Sequence, residues 1–209
     1  MLTIIKFIKH FIKLLFFIAS PFLLLIIKLI KPFKIIRLIP VMTNRYGHLS
    51  FNLESYLVEK KENKIGNNYF DIFITSRYGV CNYELLNLFK KKLIIVPHYI
   101  LEPVYLFMKK ILKNDEHTIP YFSVIARDLE CDWPKHKPSI NLTNEQNKLC
   151  EDILRVNGIN LNESRIVCLF NRDDTYLKSQ QKNYSRSWYY VSHHKYNINK
   201  FSLVADILS

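Results

Sequence analysis

Two short segments of the chain gather side chains that can do chemistry. In Arg45-Tyr46-Gly47-His48 a cation, a glycine and an imidazole are close neighbours. Histidine ionises near neutrality, so His48 is suited to taking a proton from a hydroxyl. Gly47 can adopt positive φ, which would let the backbone turn sharply into a following helix whose first amides favour an anion. The second segment is Asn171-Arg172-Asp173-Asp174-Thr175-Tyr176. Arg172 could make charge-assisted bonds to a diphosphate, and Asp173 could orient that group or a ligand hydroxyl. Plainer structures suit the same letters: an Asn/Gly turn with a surface histidine, and a solvated loop whose Arg and Asp pair with each other. The adjacent Asp173 and Asp174 do not form an Asp-x-Asp metal pair and no other carboxylate pair stands out, so neither a metal nor a cofactor is expected.

Such residues need a scaffold, and the pattern supplies alternating βα units. An extended stretch from Ile36 to Thr43 leads through the turn 44–48 into a helical pattern from about Leu49 to Lys61, with Phe51, Leu53, Tyr56 and Leu57 on one face. Phe70 to Thr75 and Leu93 to Val96 are short apolar runs that predict buried strands. Tyr83 to Lys91 and Val104 to Leu112 carry helical spacing, and Phe122 to Ala126 is a further candidate strand. Near-continuous apolar strands alternating with helices of about ten residues predict an α/β fold, a Rossmann-type parallel sheet covered on both faces. In such sheets ligands bind outside the carboxyl ends of the strands, where the first of the two segments would stand.

Residues 132–143 hold two prolines and no periodicity, which predicts a linker. A new unit follows from 144. Thr143 and Gln146 fit a capping box, Leu149, Ile153 and Val156 form an apolar helix face, and Gly158 fits a C-cap. Arg165 to Phe170 reads as a strand with the Arg172 segment at its carboxyl end, and a last helix runs from about Asn199. One helix and one parallel strand do not make a sheet, so 144–209 is expected to be the start of a second Rossmann-like domain, cut short. Alternatively, the strand joins the first sheet and the chain is whole. The organisation expected is an anchor over 1–34, a first domain over 35–131, the linker 132–143, and the start of a second domain over 144–209.

The chain has 209 residues and a formal charge of +12. Lys6, Lys9, Lys13, Lys28, Lys31, Lys34 and Arg37 all fall within residues 1–42, where there is no Asp or Glu. The rest of the chain is only mildly basic, and no basic stripe interleaved with aromatics is found, so no nucleic-acid partner is expected. Cys81, Cys131, Cys150 and Cys168 show no CxxC or Cys/His metal spacing and are expected to be reduced, mostly buried thiols.

Leu14 to Ile27 is an uninterrupted apolar run. As a helix it is about 21 Å long against a hydrocarbon core of about 30 Å, which is short for a span. Pro21 lies within it, and lysines and an arginine flank both sides about equally, against the one-sided excess that orients a single span. The choices are a helix lying in the interface or a broken helix that enters and leaves on the cytoplasmic side, a true span, or a soluble hydrophobic arm. The first two place the folded part beside a membrane.

Arg45-Tyr46-Gly47-His48-Leu49 with Glu54 and Tyr56, the strand 70–75, Cys81-Asn82 before a helix, the helix to Gly158, and Val167-Cys168-Leu169-Phe170-Asn171-Arg172-Asp173 with Tyr176-Leu177 occur in order. Together they resemble a bacterial family of glycosyltransferases found with surface-polysaccharide genes, over about residues 37–209. The resemblance implies a two-domain GT-B architecture with an N-terminal acceptor domain and a C-terminal nucleotide-sugar domain. The first loop is also similar to that of heptosyltransferases, whose turn carries an Asp where this chain has His48. The activity implied by the resemblance is transfer of a sugar from a nucleotide-sugar donor to a hydroxyl of a membrane-associated glycan or lipid. His48 would be the catalytic base. Arg45, Gly47, Asn171, Arg172, Asp173, Tyr176 and Lys178 would bind substrate, with Arg172 and Lys178 countering charge on the departing diphosphate without a metal. The expected place is the cytoplasmic face of the bacterial inner membrane.

A lipid acyltransferase would share the basic, apolar N-terminus, but it needs His-x4-Asp/Glu, and the fifth residues after His48, His98, His117 and His136 are Leu53, Pro103, Phe122 and Asn141. A non-catalytic, membrane-tethered assembly protein of the polysaccharide machinery is the remaining alternative.

Overall fold

The computed structural model describes residues 2–113, 115–119 and 135–161. The expected strands Phe122 to Ala126 and Arg165 to Phe170, and the last helix, lie outside the described residues. The described chain runs α1 (Leu2–Ile30), β1 (Ile35–Pro40), α2 (Tyr46–Lys61), β2 (Tyr69–Ile74), α3 (Tyr83–Lys90), β3 (Ile94–Val96), α4 (His98–Leu112) and α5 (Asn144–Val156). Compact packing divides the chain into Met1–Glu145 and Gln146–Ser209.

In the first unit the strands form a parallel sheet in the order β1-β2-β3, with Arg37 opposite Asp71 and Phe73 opposite Ile95. The strands are apolar on both faces because both faces are covered. On one face Ile39, Phe73 and Ile95 pack with Leu49, Leu53, Tyr56 and Leu57 of α2 and Leu85, Leu86 and Phe89 of α3. On the other, Leu38 and Ile74 pack with Val104, Tyr105 and Met108 of α4 and Ile27 of α1. The result is a three-layer α/β/α arrangement.

After α4 the chain returns to the outer edge of β1. Thr118 bridges Leu38 in parallel, and the Leu38 N–H donates to the His117 carbonyl at 2.9 Å. Beyond β1, therefore, the order reverses: the chain leaving β1 crosses one face of the sheet, and the chain arriving at Thr118 has crossed the other. A doubly wound sheet opens a crevice at such a point.

Several elements differ from the sequence expectation. Pro21 does not break α1, which is one helix from Leu2 to Ile30. Proline removes a single N–H, and beside it the Ser20 hydroxyl donates to the Phe16 carbonyl at 2.7 Å. Helix α4 begins at His98, not Val104: it continues through Pro103, its sixth residue, and its start is fixed by the His98 N–H, which donates to Thr75 Oγ1 at 3.0 Å. Phe51 is only half-buried, and α2 instead buries Leu49 and Val58 beside Leu53, Tyr56 and Leu57. Cys81 and Cys150 are exposed thiols, correcting the expectation of burial, and Cys131 and Cys168 lie outside the described residues. Residues 135–143 have no regular helix or strand beyond a short turn, yet they are fastened to α2: the Ser139 N–H donates to Glu54 Oε1 at 2.6 Å, and His136 contacts Glu62.

In the second unit α5 ends as expected. Gly158 has φ +78, its N–H donates to the Arg155 carbonyl at 3.0 Å, and the Ile159 N–H donates to Leu154 at 3.0 Å, the pair of bonds that closes a helix on a left-handed glycine. Leu149, Ile153 and Val156 are exposed.

Candidate functional site

The carboxyl ends of the three strands carry the loops 41–45, 75–82 and Pro97. The first lies beside the reversal of strand order. Its conformation follows from Thr43, which is fully buried. The Thr43 hydroxyl donates to the Gly79 carbonyl at 2.8 Å and accepts the Ser76 N–H at 3.0 Å, and the Thr43 carbonyl accepts the Cys81 N–H at 2.9 Å. One side chain thus ties the loop after β1 to the loop after β2. Sequence reasoning missed Thr43, which reads there as the last residue of a β-branched strand.

Arg45 then occupies the N-cap of α2 with extended backbone (φ −128, ψ 125) and provides no side-chain cap, while its carbonyl accepts the Leu49 N–H at 2.8 Å. Tyr46, Gly47 and His48 are the first three residues of α2, so their amides point out of the helix end toward the strand termini. This corrects the expected geometry of Gly47. It is helical, not a left-handed turn, and a Cβ placed there meets nothing within 4 Å.

His48 is half-buried in the first turn of α2, and its pKa lies below the ordinary histidine value, first because burial disfavours the charged ring and second because Arg45 repels a proton on it. The neutral form, which a base requires, is thus favoured beyond that of an ordinary histidine. Arg45, Gly47 and His48 lie together at the N-cap and first turn of α2. Asn171, Arg172, Asp173, Tyr176 and Lys178 lie outside the described residues.

A second group, unremarked in the sequence, surrounds the start of α4. Arg77 pairs with Glu102 at 3.2 Å, His98 stands edge-on to Tyr99, and Lys9 of α1 lies 5.6 Å over the Tyr99 ring. Burial lowers the His98 pKa; Glu102 opposes that, and Lys13, Lys9 and Arg77 add to it. The signal available in the sequence was Pro97-His98 straight after a strand, a proline that starts a helix. Pro103 hid it by suggesting a later start.

Toward the amino ends of the strands, Arg37 donates to Asp71 through Nε at 2.5 Å and Nη2 at 2.6 Å, and the Tyr56 hydroxyl donates to Asp71 Oδ2 at 2.5 Å. Arg37 also lies 3.8 Å over the Tyr69 ring. Every oxygen of this carboxylate is engaged from within, so it anchors α2 to the sheet and offers nothing to a ligand. Among the described residues no group of three His, Cys, Asp or Glu is placed to hold a metal ion. In the second unit, Glu151, Arg155 and residues 158–161 line a hollow of about 530 Å³.

The chain matches no family model, no curated protein and no solved structure.

Proposed function

We propose that the chain is a glycosyltransferase that moves a sugar from a nucleotide-sugar donor to a hydroxyl of a membrane-associated glycan or lipid. The observation that carries the reading is the place of His48, in the first turn of the helix that leaves β1 beside the reversal of strand order, half-buried and close to Arg45, both of which favour its neutral form. The motif order that resembles surface-polysaccharide glycosyltransferases supports it from the sequence side.

In this reading His48 takes the proton from the acceptor hydroxyl as the oxygen attacks the anomeric carbon. The bond from that carbon to the donor phosphate breaks, and the nucleotide leaves with the electron pair. The α2 amides and Arg45 hold an anionic group of the bound substrates near the ring. Arg172 and Lys178 counter the charge growing on the departing diphosphate. Binding and transfer belong to the surface of a bacterial inner membrane, on its cytoplasmic side, where nucleotide sugars are made.

The test is nucleotide release from a panel of UDP, GDP, CMP and ADP sugars by the full chain, supplied with bacterial lipid extract as acceptor. Release above background with one donor, lost in His48→Gln and Arg172→Gln while thermal unfolding is unchanged, supports transfer. Release by neither the wild-type chain nor the variants, with any donor, sinks it and leaves the assembly-protein alternative.

A further inference from the structure

The two sides of α1 have opposite surroundings. Ser20 and Ile27 are buried against the folded unit, and Phe16, Leu23 and Leu24 pack beside them. Lys9 reaches Tyr99 near the start of α4, and Lys31 pairs with Glu116 just past its end at 2.7 Å, so the two helices run side by side in the same direction. On the far side Phe7, Phe11, Ile18, Phe22, Leu25 and Leu29 recur at helical spacing, and each is more than half exposed. That stripe covers about 33 Å of helix. An unbroken exposed apolar surface of such length on a folded unit needs an occupant.

By length and composition α1 could cross a membrane. Its attachments argue against that placement. A helix fastened to α4 from Lys9 to Lys31 would draw α4 into the hydrocarbon with it, including the buried Glu102 and the exposed Lys109 and Lys110. Each charge at the bilayer centre costs about 2.5–3.5 kcal/mol even on the mildest scale. Lying flat, α1 satisfies both sides at once.

We propose that α1 lies in the plane of an anionic bilayer, with the Phe7-to-Leu29 stripe among the upper acyl chains and the α/β/α unit riding on its other side. Charge complementarity selects anionic lipid: α1 carries Lys6, Lys9, Lys13 and Lys28, positions 1–42 hold no acidic residue, and Lys109 and Lys110 add to them at the end of α4, whereas Lys31 and Arg37 are paired with Glu116 and Asp71. Because α1 and α4 run against the strands, the sheet also lies along the membrane, and the carboxyl ends of its strands open sideways over the headgroups. This orientation rests on the preceding proposal only for its consequence, namely that the acceptor hydroxyl belongs to a lipid-linked molecule; the membrane geometry stands without it.

The experiment uses the full chain with its four cysteines replaced by Ser and single nitroxide labels at positions 7, 18 and 29. It is mixed with vesicles of phosphatidylcholine alone or with anionic phosphatidylglycerol. The proposal expects flotation with the anionic vesicles, weakened at high salt, and one shared label depth of about 5–10 Å at all three positions. Phe11→Glu and Ile18→Glu should lose flotation with thermal unfolding unchanged, and Lys28→Gln should weaken it up to about fivefold. A depth that peaks at position 18 and is shallow at 7 and 29 overturns the proposal in favour of a span. Equal binding to both vesicle types overturns the charge selection. Failure to float, with a discrete dimer in lipid-free buffer, assigns the stripe to a second copy of the chain instead. Nucleotide release plays no part in these readings, so the two proposals can fail separately.

Discussion

In the proposed transfer His48 serves as the base only while its ring is unprotonated. Its folded-state pKa is lowered by burial and then by Arg45, which predicts that the acid limb of the pH–rate profile falls below the ordinary histidine value of 6.5. Arg45→Gln removes one of the two causes, so the acid limb should move upward. A profile that does not move would separate the ring from the rate. In His48→Gln transfer should fall about 10²–10⁴-fold, the usual contribution of a positioned base. The same shift links to stability. His48 and His98 both bind a proton less readily folded than unfolded, so the unfolded chain gains protons first as pH drops. Their contribution is full above about pH 6.5 and is lost as pH falls through the folded-state values. Thermal unfolding followed from pH 7.5 to 5 should show this decline, and His98→Gln should flatten it. Thr43 is the other residue on which the site depends. Thr43→Val keeps the shape but strands the buried Ser76 N–H and the Gly79 carbonyl, at a cost of about 1–3 kcal/mol in denaturant titration.

At the scale of elements, the two glycines after β1 and β2 behave in opposite ways. Gly47 is helical with open space at its Cβ position, so Gly47→Ala should leave the fold intact or stabilise it by up to about 1 kcal/mol. Gly79 has φ +102, so Gly79→Ala should destabilise by about 1–2 kcal/mol. Urea unfolding of the two variants measures both. Legibility in the sequence differs between elements for related reasons. Strands β2 and β3 were legible to within one residue because buried strands leave continuous apolar runs, whereas the stretch expected from Ile36 to Thr43 ran three residues past the end of β1 at Pro40. The start of α2 was misplaced because the helix begins on polar residues, Tyr46 to His48, whose amides look outward and leave no apolar period. Helix α4 was shortened by Pro103, since the letters do not show how near the start of a helix a proline falls. Side-chain capping across loops, such as Thr75 to His98 and Thr43 to Ser76, joins residues distant in the chain and leaves no local pattern.

For the whole molecule, charge and hydropathy foretold an apolar basic helix ahead of a parallel α/β unit, and that arrangement is present. What the letters did not contain is the packing of α1 along α4, because each helix has enough apolar positions to satisfy several partners. The reversal of strand order beside β1 was equally hidden, resting on a short bridge at Thr118. Yet that reversal is what singles out the loop 41–45 and the first turn of α2, with Arg45, Gly47 and His48, over the other strand ends. The most direct measurement is nucleotide release by the vesicle-bound full chain, wild type against His48→Gln, across the donor panel. The account predicts release with one donor class that falls at least about 100-fold in the variant while both proteins melt alike. Equal release by the two proteins, or none from either with every donor, would contradict it.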